Sequence, residues 1–324
     1  HHWGVYDEPA LLVSDNPVGM DQIALRVGGE RLSLRSVLGE LDSMTQDGRF
    51  TGTAGADSVS GSTRRYLSSH RFDWRPSRHF SLSLMESTIY SRENAGLSLK
   101  FLNPLNVQAF SVDGRPKNDE NNGILAGIIW AHYRMWTVHG QLLIDDIDLM
   151  GQTGEATSAA LTGSLRYAGV SWGEFGGSIT AVTARTYNTH QPEGRYVYLQ
   201  RGIGTQFSDY IQLSAFASIY HARGALDIEL TPKLDLLLQG ESDMRLPYPG
   251  NDVDVILEGT VEETIRPAVE MRIQQGRRWW MQVDVGPSFI SNEDHIRGND
   301  RTIVTAVFSF GTRFGFRKPF VAGL

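Results

Sequence analysis

Residues 261–275 read VEETIRPAVEMRIQQ, residues 279–291 read WWMQVDVGPSFIS, and residues 301–316 read RTIVTAVFSFGTRFGF. In the first stretch Leu257, Val261, Ile265, Val269, Met271 and Ile273 fall on one parity. Glu262, Thr264, Arg266, Glu270, Arg272 and Gln274 fall on the other. After a tight Gln275-Gly276-Arg277 turn, Trp279, Met281, Val283, Val285 and Phe289 share a face, and Gln282, Asp284 and Ser288 oppose them. The third stretch puts Val304, Ala306, Phe308, Phe310, Phe314 and Phe316 on one side. Side chains of a strand alternate faces, and about 9–11 residues tilted by about 45° cross the hydrocarbon layer of a bilayer. The pattern therefore predicts an all-β fold, an antiparallel transmembrane β-barrel of the bacterial outer membrane. A soluble antiparallel sandwich shares the alternation, but its strands are usually nearer 5–6 residues.

Composition is compatible with this reading. The 324 residues include 34 glycines, 11 tyrosines and 7 tryptophans, spread over what reads as a single barrel domain, 1–324. Glycine suits turns and close strand approach, and aromatics suit bilayer interfaces. A net charge of −7 argues against nucleic acid as a partner. No run of 18 apolar residues exists to make a membrane helix. Zero cysteines removes disulfides, thiolate metal sites and thiol nucleophiles together.

Along the chain, residues 3–21 carry too much Pro, Gly, Asp and Asn for a wall strand and read as an ordered loop. Hairpin-like pairs follow at 23–38, 66–90, 124–147, 161–187 and 226–238, and every second connection is short. Outer-membrane barrels sort their loops in this way, with short periplasmic turns and long extracellular loops. Glu86 shares the parity of Phe80, Leu82 and Leu84, so either a bulge re-aims it inward or it lies above the lipid. Asp209–Gly224 spaces Leu213, Phe216, Ala217 and Tyr220 at three to four residues, which predicts a short helix in the lumen or at the rim. The total is about 13 wall strands, an odd number for a closed bacterial barrel. The expectation is that a missing N-terminal segment or a partner chain completes the wall.

No Gly-x-Ser-x-Gly elbow, His-Glu-x-x-His pair or phosphate loop occurs, so the expected role is non-enzymatic, without cofactor or metal. Asp145-Asp146-Ile147-Asp148 and Asn251-Asp252-Val253-Asp254 lack the glycine and distal glutamate of a calcium loop and read as solvated carboxylates. Sugar recognition needs planar donors and acceptors together with aromatic faces. The expected outer ends of the strands supply both. The polysaccharide-binding candidates are Tyr90, Asn103, Asn106, Phe110, Asp119, Asn121, Asp145, Asp146, Tyr187, Asn292 and His295. Asn and Asp are also common turn formers, Tyr belongs to the interface girdle, and His295 equally suits a loop-ordering hydrogen bond.

Several strings, in order, resemble the Wzi-type capsule-assembly outer-membrane proteins. They are Trp3-Gly4 with Leu11-Leu12-Val13-Ser14-Asp15-Asn16, then Phe101-Leu102-Asn103-Pro104-Leu105-Asn106 with Asn118-Asp119-Glu120-Asn121-Asn122. Gln141-Leu142-Leu143-Ile144-Asp145-Asp146 and the Asn292, His295, Gly298 spacing follow. The resemblance implies a barrel of about 18 strands, acting as a non-catalytic surface lectin that holds capsular polysaccharide among outer-membrane lipid and lipopolysaccharide. The family's N-terminal helical part and first strands have no counterpart here. Two alternatives stay open: a porin or small-solute channel lined by Arg166, Glu262, Arg266, Glu270 and Arg272, and an envelope assembly scaffold.

Overall fold

The structure is a computed structural model, and it describes residues 10–17, 19–44, 63–92, 101, 103, 121–146, 158–189, 192–246, 248, 253–276 and 278–312. Its strands are β1 (Gln22–Gly28), β2 (Leu32–Met44), β3 (Thr63–Ser77), β4 (Phe80–Arg92), β5 (Asn121–Tyr133), β6 (Trp136–Asp146), β7 (Ser158–Val170) and β8 (Gly173–Val182). After them come β9 (Val197–Tyr198), β10 (Arg201–Gly202), β11 (Tyr210–Arg223), β12 (Leu226–Gln239), β13 (Glu262–Gln275), β14 (Trp279–Ser291) and β15 (Arg301–Thr312). Thirteen of these form one antiparallel up-and-down sheet, and β9 and β10 make a separate two-residue hairpin. A single continuous sheet excludes the two-sheet sandwich. β1 and β15 are its edges, and among the described residues no register joins them.

Two expectations about element boundaries are corrected. Tyr210–Arg223 is strand β11, paired with β8 and β12, rather than a helix. Its helical spacing arose by mixing faces: Leu213, Ala217 and Ile219 lie on one side, and Phe216 and Tyr220 on the other. Phe216 there carries the Arg166 guanidinium 5.3 Å from its ring centre. The strand expected from Leu257 starts instead at Glu262, because Leu257 and Gly259 adopt left-handed φ of 60° and 69°. Of the turn expected at 275–277, Gly276 has φ 51°, and Arg277 lies outside the described residues. Phe314 and Phe316 lie outside the described residues.

The register gives the sheet two consistent faces, since directly paired residues point to the same side. One row runs Arg35, Arg71, Met85, Ala126, Leu143, Ala160, Val182, Tyr210, Gln239, Glu262. Across β2–β8 and the start of β11 this inner face is covered by residues 10–17, 183–189 and 192–209. Leu11, Leu12, Tyr187, Tyr196 and Ile203 pack there on Val37, Leu67, Ile89, Ile124, Leu143 and Val182 in one buried cluster. The ordered loop expected over 3–21 thus has its described part inside the curve of the sheet.

The outer face is apolar and uncovered over most of its extent. Phe72, Leu84, Leu142 and Leu161 share one outward row and are 41–57% exposed. In β13–β15, Val269, Val285, Phe289, Val304, Phe308 and Phe310 face out, between 42% and 71% exposed. Glu262, Arg266, Glu270 and Arg272 take the opposite parity, where Arg266 and Glu270 are in ion pairs. Lys233 Nζ lies 2.8 Å from Glu270 Oε2 and 2.6 Å from Asp284 Oδ2, Arg266 pairs with Asp284, and Gln282 donates to Glu270 Oε1 at 2.9 Å.

Glu86 stays on the outward parity without a bulge, because the β3–β4 register shifts only between Trp74 and Ser77. Its carboxylate meets His70 Nδ1 at 2.8 Å, and both residues are buried.

Candidate functional site

The described candidate residues lie at the long-connection end of the sheet in three separate groups, two where β4 and β6 finish and one between β14 and β15. Tyr90 and Tyr66 are direct partners on β4 and β3, and their rings stack at 5.2 Å. Phe101 stacks on Tyr90 at 4.1 Å with 10° between the planes, and its carbonyl accepts a hydrogen bond from Ser68 Oγ at 2.5 Å. Tyr90 is therefore buried, at 4% exposure, in a small outward-face cluster with Leu38, Tyr66 and Phe101. Asn103 is exposed beside it in sequence. Asn121 opens β5 opposite Tyr90, and Asp146 closes β6 opposite Ser158. Asn106, Phe110 and Asp119 lie outside the described residues.

Asp145 and Tyr187 are brought together on the inner face. The Tyr187 N–H donates to Asp145 Oδ2 at 2.6 Å, and its hydroxyl donates to the Leu11 carbonyl at 2.6 Å. Tyr187 stacks on Tyr196 at 5.6 Å, and the Tyr196 hydroxyl donates to Ser87 Oγ at 2.7 Å on β4. Both tyrosines are fully buried, and burial pushes both phenols well above their usual pKa. Tyr187 thus offers no open ring face.

Arg65, wholly buried on β3, fastens the same segment. Its Nε donates to the Glu193 carbonyl at 2.8 Å, and its Nη2 donates to the carbonyls of Arg195 and, at 3.2 Å, Val197. A guanidinium can satisfy several carbonyls at once, which suits a site where unpaired backbone acceptors would otherwise be buried. Gly204 sits so close to the neighbouring segment that a Cβ there would lie 2.0 Å from the Leu11 carbonyl oxygen.

Asn292 and His295 form a third group, between β14 and β15. Asn292 is left-handed at φ 56°, its Nδ2 donates to the Val261 carbonyl at 3.0 Å, and its Oδ1 accepts the Gly298 N–H at 2.9 Å. His295 Nδ1 donates to the Thr260 carbonyl at 2.8 Å. These bonds lace the β14–β15 loop to the residues before β13. Asp209 does the same for residues 240–258: its carboxylate accepts the N–H groups of Ser242 (3.2 Å), Leu257 (2.5 Å) and Glu258 (3.1 Å).

Sequence patterns do not single out Arg31, Arg35, Arg71, Arg75 and Arg78, which line one cavity of 1630 Å³ under the inner segment. Arg31, Arg75 and Arg78 lie in or beside the short β1–β2 and β3–β4 turns, and Arg35 and Arg71 face each other within β2 and β3. Among the described residues no group of three or more His, Asp or Glu side chains is arranged to hold a metal ion. No protein-family model matches the chain, and no curated protein does.

Proposed function

We propose that the chain forms the wall of an outer-membrane β-barrel whose interior is partly filled by the segment packed beside β2–β8, and that it holds surface polysaccharide at its long-connection end without cleaving it. The observation that carries the reading is the contrast between the two faces. Large apolar side chains from Phe72 to Phe310 stand exposed on one, and the other is occupied by a packed segment. An exposed apolar surface this extensive needs lipid or a partner against it, and outward apolar, inward polar alternation is what a membrane-spanning strand requires.

Support for polysaccharide rather than solute passage comes from the filling. Leu11, Tyr187, Tyr196 and Ile203 occupy the space a conduit would need beside β2–β8. The resemblance to Wzi-type capsule-assembly proteins points the same way. The test is to incubate purified protein with its native surface polysaccharide. Polymer should be retained with unchanged chain length. Depolymerisation would make the protein an enzyme, and absence of retention together with single-channel conductance would make it a channel.

A further inference from the structure

We propose that the arginine-lined cavity at the short-turn end is a second binding site, and that it takes an acidic oligosaccharide, a sugar chain bearing carboxylates or phosphates. The chain as a whole carries −7, yet five arginines and only two carboxylates, Asp15 and Glu30, line this space.

Two of the arginines are fixed in place. Arg71 Nε lies 2.7 Å from Asp73 Oδ1, Arg35 Nε lies 3.3 Å from Asp73 Oδ2, and Ser83 Oγ donates to Asp73 Oδ1 at 2.7 Å. Asp73 is consumed by this network. For Arg31, Arg75 and Arg78 no carboxylate among the described residues lies within 4 Å. Arg31 and Arg75 are held close nonetheless, because the Arg75 N–H donates to the Arg31 carbonyl at 2.7 Å and ties the two turns together. Like charges gathered in a concavity repel unless an anion joins them, and the guanidinium fork matches carboxylate or phosphate with two parallel bonds.

The rest of the lining selects among anions. Trp130 and Tyr210 bring aromatic rings and Gln212 an amide to the same cavity, the combination that meets the apolar faces and hydroxyls of sugar rings. At 1630 Å³ the space exceeds the roughly 300–1,000 Å³ of ordinary small-ligand pockets. A lone inorganic anion would leave most of it empty. The cavity also lies on the inner face, away from the apolar side on which lipid would sit. The proposal stands apart from glycan retention at the other end, and a protein that retained no polymer there would leave it intact.

The test is titration of the purified full chain in detergent, followed by tryptophan fluorescence and calorimetry. The probes are an oligogalacturonate, a maltooligosaccharide of equal length, and inorganic phosphate. The acidic oligomer should bind, weaken with added salt, and lose at least about tenfold in affinity in the Arg31→Gln/Arg75→Gln/Arg78→Gln variant, as expected when charge-assisted bonds are removed. All three positions are solvent-exposed, so the variant should melt like the parent. Should it fail to fold, single Arg31→Gln and Arg78→Gln variants make the same comparison. The proposal is overturned if the neutral oligomer binds as tightly, if phosphate alone binds as tightly as the oligomer, if the acidic oligomer does not bind, or if the variants bind unchanged.

Discussion

The Tyr187 hydroxyl reaches the Leu11 carbonyl at 2.6 Å across 176 residues of sequence, so the chain near its start is locked to the segment that follows β8. Both partners are fully buried, and a carbonyl left unpaired in such a place costs about 1–3 kcal/mol. Tyr187→Phe keeps the ring and its stack on Tyr196 but removes this donor. It should lower stability by about 1–2 kcal/mol and raise amide exchange in residues 10–17. Unchanged exchange there would show that the segment is held by other contacts.

Gly204→Ala should be more damaging, because the added methyl carbon would sit 2.0 Å from a backbone oxygen that has no free end to swing away. Overpacking of this kind typically costs about 1–3 kcal/mol. Gly29→Ala, where a Cβ meets nothing within 4 Å, is the matched control. Equal melting of the two variants would contradict the close packing of residues 202–205 on Leu11.

Alkaline pH should loosen the segment packed on the inner face before it affects the sheet. Tyr187 and Tyr196 both have raised pKa values through burial. A phenol with a raised folded-state pKa keeps its proton in the folded chain. The stability it contributes is therefore complete below the unfolded value of about 10 and is lost as pH climbs beyond it. Tyrosinate absorbance should place these two among the late-ionising members of the 11 tyrosines, together with release of the segment that follows β8. A titration of all eleven at the ordinary phenol value would contradict their burial.

Val269 stands outward on β13, 42% exposed, directly opposite outward Val285 on β14. If it lies near the middle of a bilayer, Val269→Arg should cost about 2–4 kcal/mol in reversible folding into lipid vesicles. A cost near zero would place this row in water.

The two-faced sheet was legible because period-two alternation is a local property: Val269 and Glu270 declare their opposite faces from their neighbours alone. Strand β11 was obscured because Phe216 and Tyr220 put large rings on the inner face, where Arg166 covers Phe216, and so imitated helical spacing. The filling of the interior left no local trace, since Tyr187, Gly204 and Leu11 become meaningful only when brought together from far apart. Tyr90 illustrates a further limit. A tyrosine at a strand end has the same sequence signature whether its ring stacks on Phe101, as here, or on a sugar. The arginine cavity depended on hairpin pairing, which sets Arg35 opposite Arg71 and the Arg31 turn beside Arg75.

The proposed barrel requires that one face of this sheet meet lipid and the other not. Single cysteines at Val269, Glu270, Val285, Asp284, Phe308 and Ser309, in a chain with no native cysteine, can be labelled in reconstituted vesicles with a water-soluble maleimide and with a lipid-phase quenching fluorophore. Val269, Val285 and Phe308 should respond to the lipid-phase probe and resist the aqueous one, with Glu270, Asp284 and Ser309 behaving in the opposite way. Equal access of the aqueous reagent to both sets would contradict the proposed barrel.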